Sequence, residues 1–149
     1  MLEAGVDVDF VQDNQAFSAR RGTLRGLHFQ MAPHAQAKLV RVLRGAIYDV
    51  AVDIRQGSPT FGRWVGAELT AERGEQIWVP RGFAHGYCTL TDDTELVYKV
   101  DALYAPQSEG GLIWNDPDLG IDWPVAGDVV TSDKDKTLPR LKDLPPVRF

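Results

Sequence analysis

Gly74-Glu75-Gln76-Ile77-Trp78-Val79-Pro80-Arg81-Gly82-Phe83-Ala84-His85-Gly86 is the stretch whose reading decides the fold. Gly74 supplies a turn. Residues 76–79 form a short run of β character, and Pro80, with no N–H to give to a ladder, ends it. Gly82 lets the chain turn back, and residues 86–90 resume as β. A strand, a proline stop and a glycine re-entry that delivers a histidine is how a small barrel brings an imidazole to its interior.

The same alternation extends outward in both directions. Residues 38–43 alternate, and Arg44-Gly45 breaks the run. Residues 46–54 resume it, with β-branched side chains on one face and small or acidic ones on the other. Gln56-Gly57-Ser58-Pro59 is turn chemistry, residues 64–69 are a strand, Asp92-Asp93 turns the chain, and residues 94–100 run on as β. No segment before residue 100 has helical periodicity. Short strands punctuated by Gly, Pro and Asp predict a mostly-β sandwich or barrel. The tail, with Asp116-Pro117-Asp118, Pro124, Pro139 and Pro145-Pro146, reads as loop-rich, with a short helical start or turn at Ser132-Asp133-Lys134-Asp135-Lys136.

The totals narrow the class. A chain of 149 residues is expected to be one domain, 1–149, large enough to bury a core without staples. A net charge of -5 argues against a nucleic-acid partner, although Arg20, Arg21, Arg25, Lys38, Arg41 and Arg44 fall close enough together to serve a local anion. Cys88 is the single cysteine, so no internal disulfide forms. Its setting in His85-Gly86-Tyr87-Cys88-Thr89-Leu90 reads as a small buried strand residue rather than a nucleophile. No apolar run is long enough to cross a bilayer and no signal-peptide pattern opens the sequence, so a cytoplasmic protein with no membrane partner is expected. Trp64, Trp78, Trp114 and Trp123 read as core or interface aromatics.

Two of the three histidines carry the chemistry. His85 closes a Gly-x5-Pro-x-Gly-x2-His spacing that resembles the second signature of the cupin superfamily. His28 lies in Arg25-Gly26-Leu27-His28-Phe29-Gln30. Two inward imidazoles suit either proton transfer or a metal. A metal-binding cupin wants two histidines and a carboxylate in its first motif. Here His28 is followed by Phe29 and Gln30, and His34 falls in a loop, so no metal is expected.

A wider set of motifs is more specific. Phe10-Val11-Gln12-Asp13-Asn14, Leu24-Arg25-Gly26-Leu27-His28-Phe29-Gln30 and Ala35-Gln36-Ala37-Lys38-Leu39-Val40-Arg41 come first. Asp49-Val50-Ala51-Val52-Asp53-Ile54-Arg55, Ser58-Pro59-Thr60-Phe61-Gly62 and Leu96-Val97-Tyr98-Lys99 follow. Tyr104-Ala105-Pro106-Gln107-Ser108-Glu109-Gly110, Trp114-Asn115-Asp116 and Gly120-Ile121-Asp122-Trp123-Pro124 complete the set. Together, from about residue 8 to residue 135, they closely resemble the dTDP-4-dehydrorhamnose 3,5-epimerase family.

The resemblance implies a cupin-type jelly-roll barrel, a homodimer, and an isomerase that needs no cofactor. The substrate would be a dTDP-linked 4-keto-6-deoxy sugar, epimerised at carbon 3 and/or carbon 5 in deoxysugar biosynthesis of the dTDP-rhamnose type. The chemistry is sound on its own terms: a 4-keto group acidifies the flanking C–H bonds, one group removes a proton, and another returns one to the opposite face. By resemblance His28 is the base, with an unperturbed pKa of about 6.5 near the working pH. Asp135, in Ser132-Asp133-Lys134-Asp135, is the carboxylate behind it, Tyr98 the acid and Lys38 the partner of the keto oxygen. His85 is a polar wall of the site. Arg25 matches a diphosphate contact. Gln12 and Asn14 match polar contacts to nucleotide or sugar, and Tyr104 and Glu109 match the stretch that holds the nucleotide, Tyr104 offering its ring to the base.

Two departures accompany the resemblance. The family usually opens with an earlier segment carrying an Asp-x-Arg-Gly-type stretch, and Met1-Leu2-Glu3-Ala4-Gly5 reads as starting after it. Gln15-Ala16 stands where the family has His-Ser. Two other classes therefore stay open: an inactive or weakened nucleotide-sugar-binding cupin, and a metal-dependent cupin isomerase or oxygenase.

Overall fold

The computed structural model of the chain describes residues 8–124 and 129–149. The Met1–Gly5 opening, on which the expectation of a missing segment rests, lies outside the described residues. Nine strands form among those that are described: β1 (Gln12–Ser18), β2 (Leu24–Gln30), β3 (Lys38–Arg44), β4 (Ala46–Asp53), β5 (Trp64–Thr70), β6 (Gln76–Val79), β7 (Phe83–Thr89), β8 (Thr94–Val100) and β9 (Glu109–Gly111). They build two antiparallel sheets, ordered β1-β8-β3-β6 and β5-β4-β7-β2-β9. This is the expected mostly-β, cupin-type jelly roll. The strands foreseen from alternation are present; β7 begins earlier than the sequence suggests, at Phe83, so His85 lies within a strand rather than before one.

Alternation along the strands sorts side chains into two layers. Between the sheets, Val40, Val42, Ile47, Leu69, Tyr87 and Leu96 form one buried cluster. On the outer face of the five-stranded sheet, Leu27, Phe29, Val50, Val52 and Ala84 meet Leu112, Leu119 and Val147. Trp64, Trp123, Leu141 and Phe149 pack against this second cluster, so the tail is the cover of that sheet. Each large aliphatic side chain fully buried there contributes about 1.5–3 kcal/mol. Cys88 is fully buried in β7, and burial pushes its thiol up to about 11, against a smaller opposing effect of Arg21.

A buried carboxylate fixes the turn after β4. Asp53, 1% exposed, accepts from Arg55 N and Nε at 3.0 Å, Arg55 Nη2 at 2.9 Å, Ser58 Oγ at 2.7 Å and Thr60 Oγ1 at 2.5 Å. Burial opposes its ionisation, but the bonds from Arg55, Thr60 and Ser58 outweigh it and hold the carboxyl well below the usual range. The Ser58-Pro59-Thr60 motif is thus a structural clamp at the end of the sheet.

Candidate active site

The inner faces of both sheets converge on one cavity. From the five-stranded sheet β2 supplies His28, and β7 supplies His85, its direct cross-strand partner. From the opposite sheet β3 supplies Lys38 and β8 supplies Tyr98; they are diagonal neighbours, since Lys38 pairs with Val100 and Val40 with Tyr98. The β2–β7 pairing shifts register between Arg25 and His28. Two glycines allow it: Gly26 has φ +121°, and a Cβ there would lie 2.6 Å from the Gly86 Cα. Any side chain at Gly26 would push the strands apart and carry His28 away from His85.

The cavity has two chambers that share His28, Lys38 and Tyr98 in their walls. One, of 270 Å³, is further lined by Gln12, Asn14, Tyr104 and Glu109. The other, of 200 Å³, is lined by Ala16, Arg25, His85 and Tyr87. All of the side chains singled out in the sequence except Asp135 therefore line one continuous space, and Asp135 stands directly behind it. A larger open groove of 690 Å³ lies elsewhere, lined by Trp114, Lys136 and Arg140 among others, and contains none of them.

Asp135 reaches His28 from the tail. Ser132 caps the one-turn helix α1 (Asp133–Lys136) by accepting from Asp135 N at 3.1 Å. The Asp135 side chain, 3% exposed, accepts from Gly26 N at 3.1 Å through Oδ2 and lies 2.6 Å from His28 Nε2 through Oδ1. A carboxylate at Nε2 selects the tautomer protonated on that nitrogen, leaving the Nδ1 lone pair as the basic position. Burial lowers the His28 pKa below its ordinary 6.5; Asp135 opposes this and the Lys38 charge adds to it. The imidazole is therefore neutral at pH 7, and a carboxylate is in place for the moment it gains a proton.

Behind Lys38 runs a second chain of polar groups. Its ammonium lies 3.4 Å from His85 Nδ1, and His85 Nε2 lies 2.8 Å from Asp49 Oδ1. Asp49 is fully buried and its Oδ2 has no hydrogen-bond partner within the described protein. Asp49 selects the His85 tautomer that keeps Nδ1 free to accept from Lys38. Burial brings the Lys38 pKa down to about 8, while Asp49 and Glu109 hold it up. The ammonium also sits 5.7 Å from the centre of the Tyr98 ring. Burial raises the Tyr98 phenol, with Arg25 opposing, so its proton is retained at neutral pH.

The remaining candidate side chains cluster at the chamber walls. Gln12 Nε2 donates to Asn14 Oδ1 at 2.7 Å. Glu109 pairs with Lys134 and faces the Tyr104 hydroxyl; burial opposes its ionisation, but these partners outweigh it and lower its pKa. The Tyr104 ring is 57% exposed. Arg25 faces the second chamber and makes no ion pair among the described residues. Its charge is felt at both Tyr87 and Tyr98.

Two residues of the site had no role assigned from the sequence. Asp49 lies in the Asp49-to-Arg55 motif stretch and Lys134 in Ser132-Asp133-Lys134-Asp135, but neither stretch signals the partnership of Asp49 with His85 or of Lys134 with Glu109. No group of three His, Cys, Asp or Glu side chains arranged to hold a metal ion occurs among the described residues.

With this geometry in view, likeness to known proteins becomes informative. The family model described as dTDP-4-dehydrorhamnose 3,5-epimerase matches residues 1–143. The dTDP-4-dehydrorhamnose 3,5-epimerase of Sinorhizobium fredii is 57% identical over 139 residues, covering 93% of this chain and 71% of its own. The crystal structure of the Bacillus anthracis 3,5-epimerase with TDP and pyrophosphate bound superposes with a TM-score of 0.90 at 53% identity, covering 93% of this chain and 79% of that one. The Legionella pneumophila 3,5-epimerase in complex with dTDP-4-keto-L-rhamnose gives a TM-score of 0.93 at 44% identity, covering 99% and 79%.

Proposed function

This chain belongs to the dTDP-4-dehydrorhamnose 3,5-epimerase family, and from that premise we propose how its own residues perform the epimerisation. The enzyme is an isomerase that acts on a dTDP-linked 4-keto-6-deoxy sugar in rhamnose biosynthesis. His28 removes the proton from a carbon beside the 4-keto group through Nδ1. Asp135, at 2.6 Å from Nε2, stabilises the imidazolium that results. The electron pair moves into the ring as an enolate, whose oxygen Lys38 neutralises. Tyr98 delivers a proton to the opposite face of the same carbon, and the configuration inverts. Carbon 3 and carbon 5 both flank the ketone, so one set of groups serves either position.

The observation that carries this reading is the placement of His28, backed by Asp135 at 2.6 Å, in the same chamber walls as Lys38 and Tyr98 from the opposite sheet, and the direction of each pKa suits its role. Burial lowers His28, so the base is free. Lys38, at about 8, is still charged. Tyr98, raised by burial, still holds its proton. Arg25 takes the diphosphate, Tyr104 offers its ring to the thymine, and Gln12, Asn14, Glu109 and His85 make the remaining polar contacts. Each step moves only protons, so the reaction needs no cofactor.

A homodimer and a cytoplasmic setting complete the reading. Exposed Val11, Phe17 and Leu43 on the outer face of the four-stranded sheet support self-association, and a single buried cysteine suits a reducing compartment. The test is solvent exchange. In deuterated water the keto sugar should gain deuterium at carbon 3, carbon 5 or both, and His28→Ala should not promote this. Tight dTDP binding without exchange would reduce the protein to a binding module.

A further inference from the structure

The reacting side chains stand on strands or, in Asp135, on a capped turn. Tyr104 does not: it sits on the loop between β8 and β9, between Leu103, 62% exposed, and Ala105, 5% exposed. Little apolar burial holds that loop in place. Polar bonds hold it instead: Gln36 Nε2 donates to the Ala102 carbonyl at 2.8 Å, and one carboxamide grips the two residues that flank Tyr104. Gln30, two residues beyond His28 on β2 and 4% exposed, donates through Nε2 to the carbonyls of Leu103 at 3.2 Å and His34 at 2.7 Å. Its Oε1 accepts from Ala105 N at 2.8 Å. Two of these bonds therefore grip the backbone on either side of Tyr104. The same corner is tied twice more, by Met31 N donating to the Ser108 carbonyl at 2.9 Å and by His34 Nδ1 at 2.9 Å from Ser108 Oγ.

We propose that Gln30 is a positioning residue for nucleotide recognition: its carboxamide clamps the backbone flanking Tyr104 and thereby sets where that ring stands relative to His28. This deepens the function proposed above and rests on its assignment of Tyr104 to the nucleobase. Two donors and one acceptor are required at once, a combination that a primary carboxamide supplies and that no hydrocarbon of similar length can. Because Gln30 and His28 share a strand, the clamp fixes the span between the sugar-reacting and base-holding ends of the cavity. Loss of it should loosen binding and spare the chemical step.

The experiment is a cycle of Gln30→Met and Tyr104→Ala. Gln30→Met alone should raise KM for dTDP-4-keto-6-deoxyglucose, and the Kd of dTDP itself, by about tenfold or more, with kcat held within about threefold and its pH profile unmoved. In the Tyr104→Ala background the same change should add less than about twofold, because the ring it positions is gone. Ser108→Ala, a milder loosening of the same corner, should raise KM by a few-fold and serves if Gln30→Met does not fold. The clamp is overturned if Tyr104→Ala weakens dTDP while Gln30→Met and Ser108→Ala do not. A full effect of Gln30→Met that persists without Tyr104, or a fall in kcat at constant KM, also overturns it. Wild-type dTDP affinity in Tyr104→Ala overturns the nucleobase assignment itself, and the clamp with it.

Discussion

Lys38→Met should stabilise the fold while abolishing the reaction. The lysine stem is half-buried, and its ammonium stands between His85 and the Tyr98 ring with a pKa reduced from 10.5 to about 8. At about 1.36 kcal/mol per pKa unit, a fall of that size corresponds to roughly 3 kcal/mol against the charged form in the fold. The open cavity screens part of this, so a gain of about 1–3 kcal/mol on replacement is expected. The direction with pH follows from linkage. Below pH 8 the lysine is charged in both states and the fold bears the whole cost. Between 8 and 10.5 the unfolded chain binds the extra proton, stability rises with pH, and the cost is gone above 10.5. Methionine is close in length and can fill the stem's place. Thermal melts at pH 7 should thus show the variant more stable, by about 2–4 °C in Tm for each kcal/mol in a chain of this size, with the advantage fading above pH 8. Exchange should fall by about a hundredfold or more, the usual cost of removing an oxyanion partner. A variant less stable than the parent at pH 7, or an advantage that does not fade in alkali, would refute the reasoning.

Other perturbations probe neighbouring parts of the site. The pH profile of kcat/KM should be a bell: the acid limb belongs to His28 and lies below pH 6.5, because burial depresses its pKa, and the alkaline limb belongs to Lys38 and lies near 8. An acid limb above 6.5 would contradict the assignment of the base. Asp49→Asn removes a negative charge that holds the Lys38 pKa up, so the alkaline limb should move below 8; an unmoved limb would show that Asp49 does not reach Lys38. Asp53→Ala should cost about 1–2 kcal/mol by removing the carboxylate that ties Arg55, Ser58 and Thr60 into the turn after β4, with kcat unchanged, as read by urea melts beside the exchange assay. Because the folded Asp53 pKa is depressed, its contribution is complete above the unfolded carboxylate value near 3.8 and is lost as pH falls further.

The strands richest in β-branched residues were legible in the sequence, as were β3 and β8, which carry Lys38 and Tyr98; β1 and β2, which line the rest of the site, were not. β4 carries Val50 and Val52 on the covered face, a period-2 signal that survives without context. β1 reads Gln12-Asp13-Asn14-Gln15, because its inward face lines a polar cavity rather than a core. β2 is broken by Gly26, whose positive φ serves the register shift that seats His28. Both violate strand patterning where chemistry requires it. The link from His28 to Asp135 spans 107 residues and was visible only through family resemblance. The partnership of Asp49 with His85 had no sequence signal, since an acidic residue in a strand looks the same whether it faces solvent or a buried imidazole.

The most direct measurement follows Tyr98→Phe in deuterated water, scoring isotope uptake and inversion separately at carbon 3 and carbon 5. With the phenol removed, His28 can still take a proton and return a deuteron to the same face, so uptake should continue with the original configuration while inversion drops sharply. Inversion at the parent rate, or uptake and inversion lost together while His28→Ala keeps either, would contradict a base and an acid working from opposite faces of the ring.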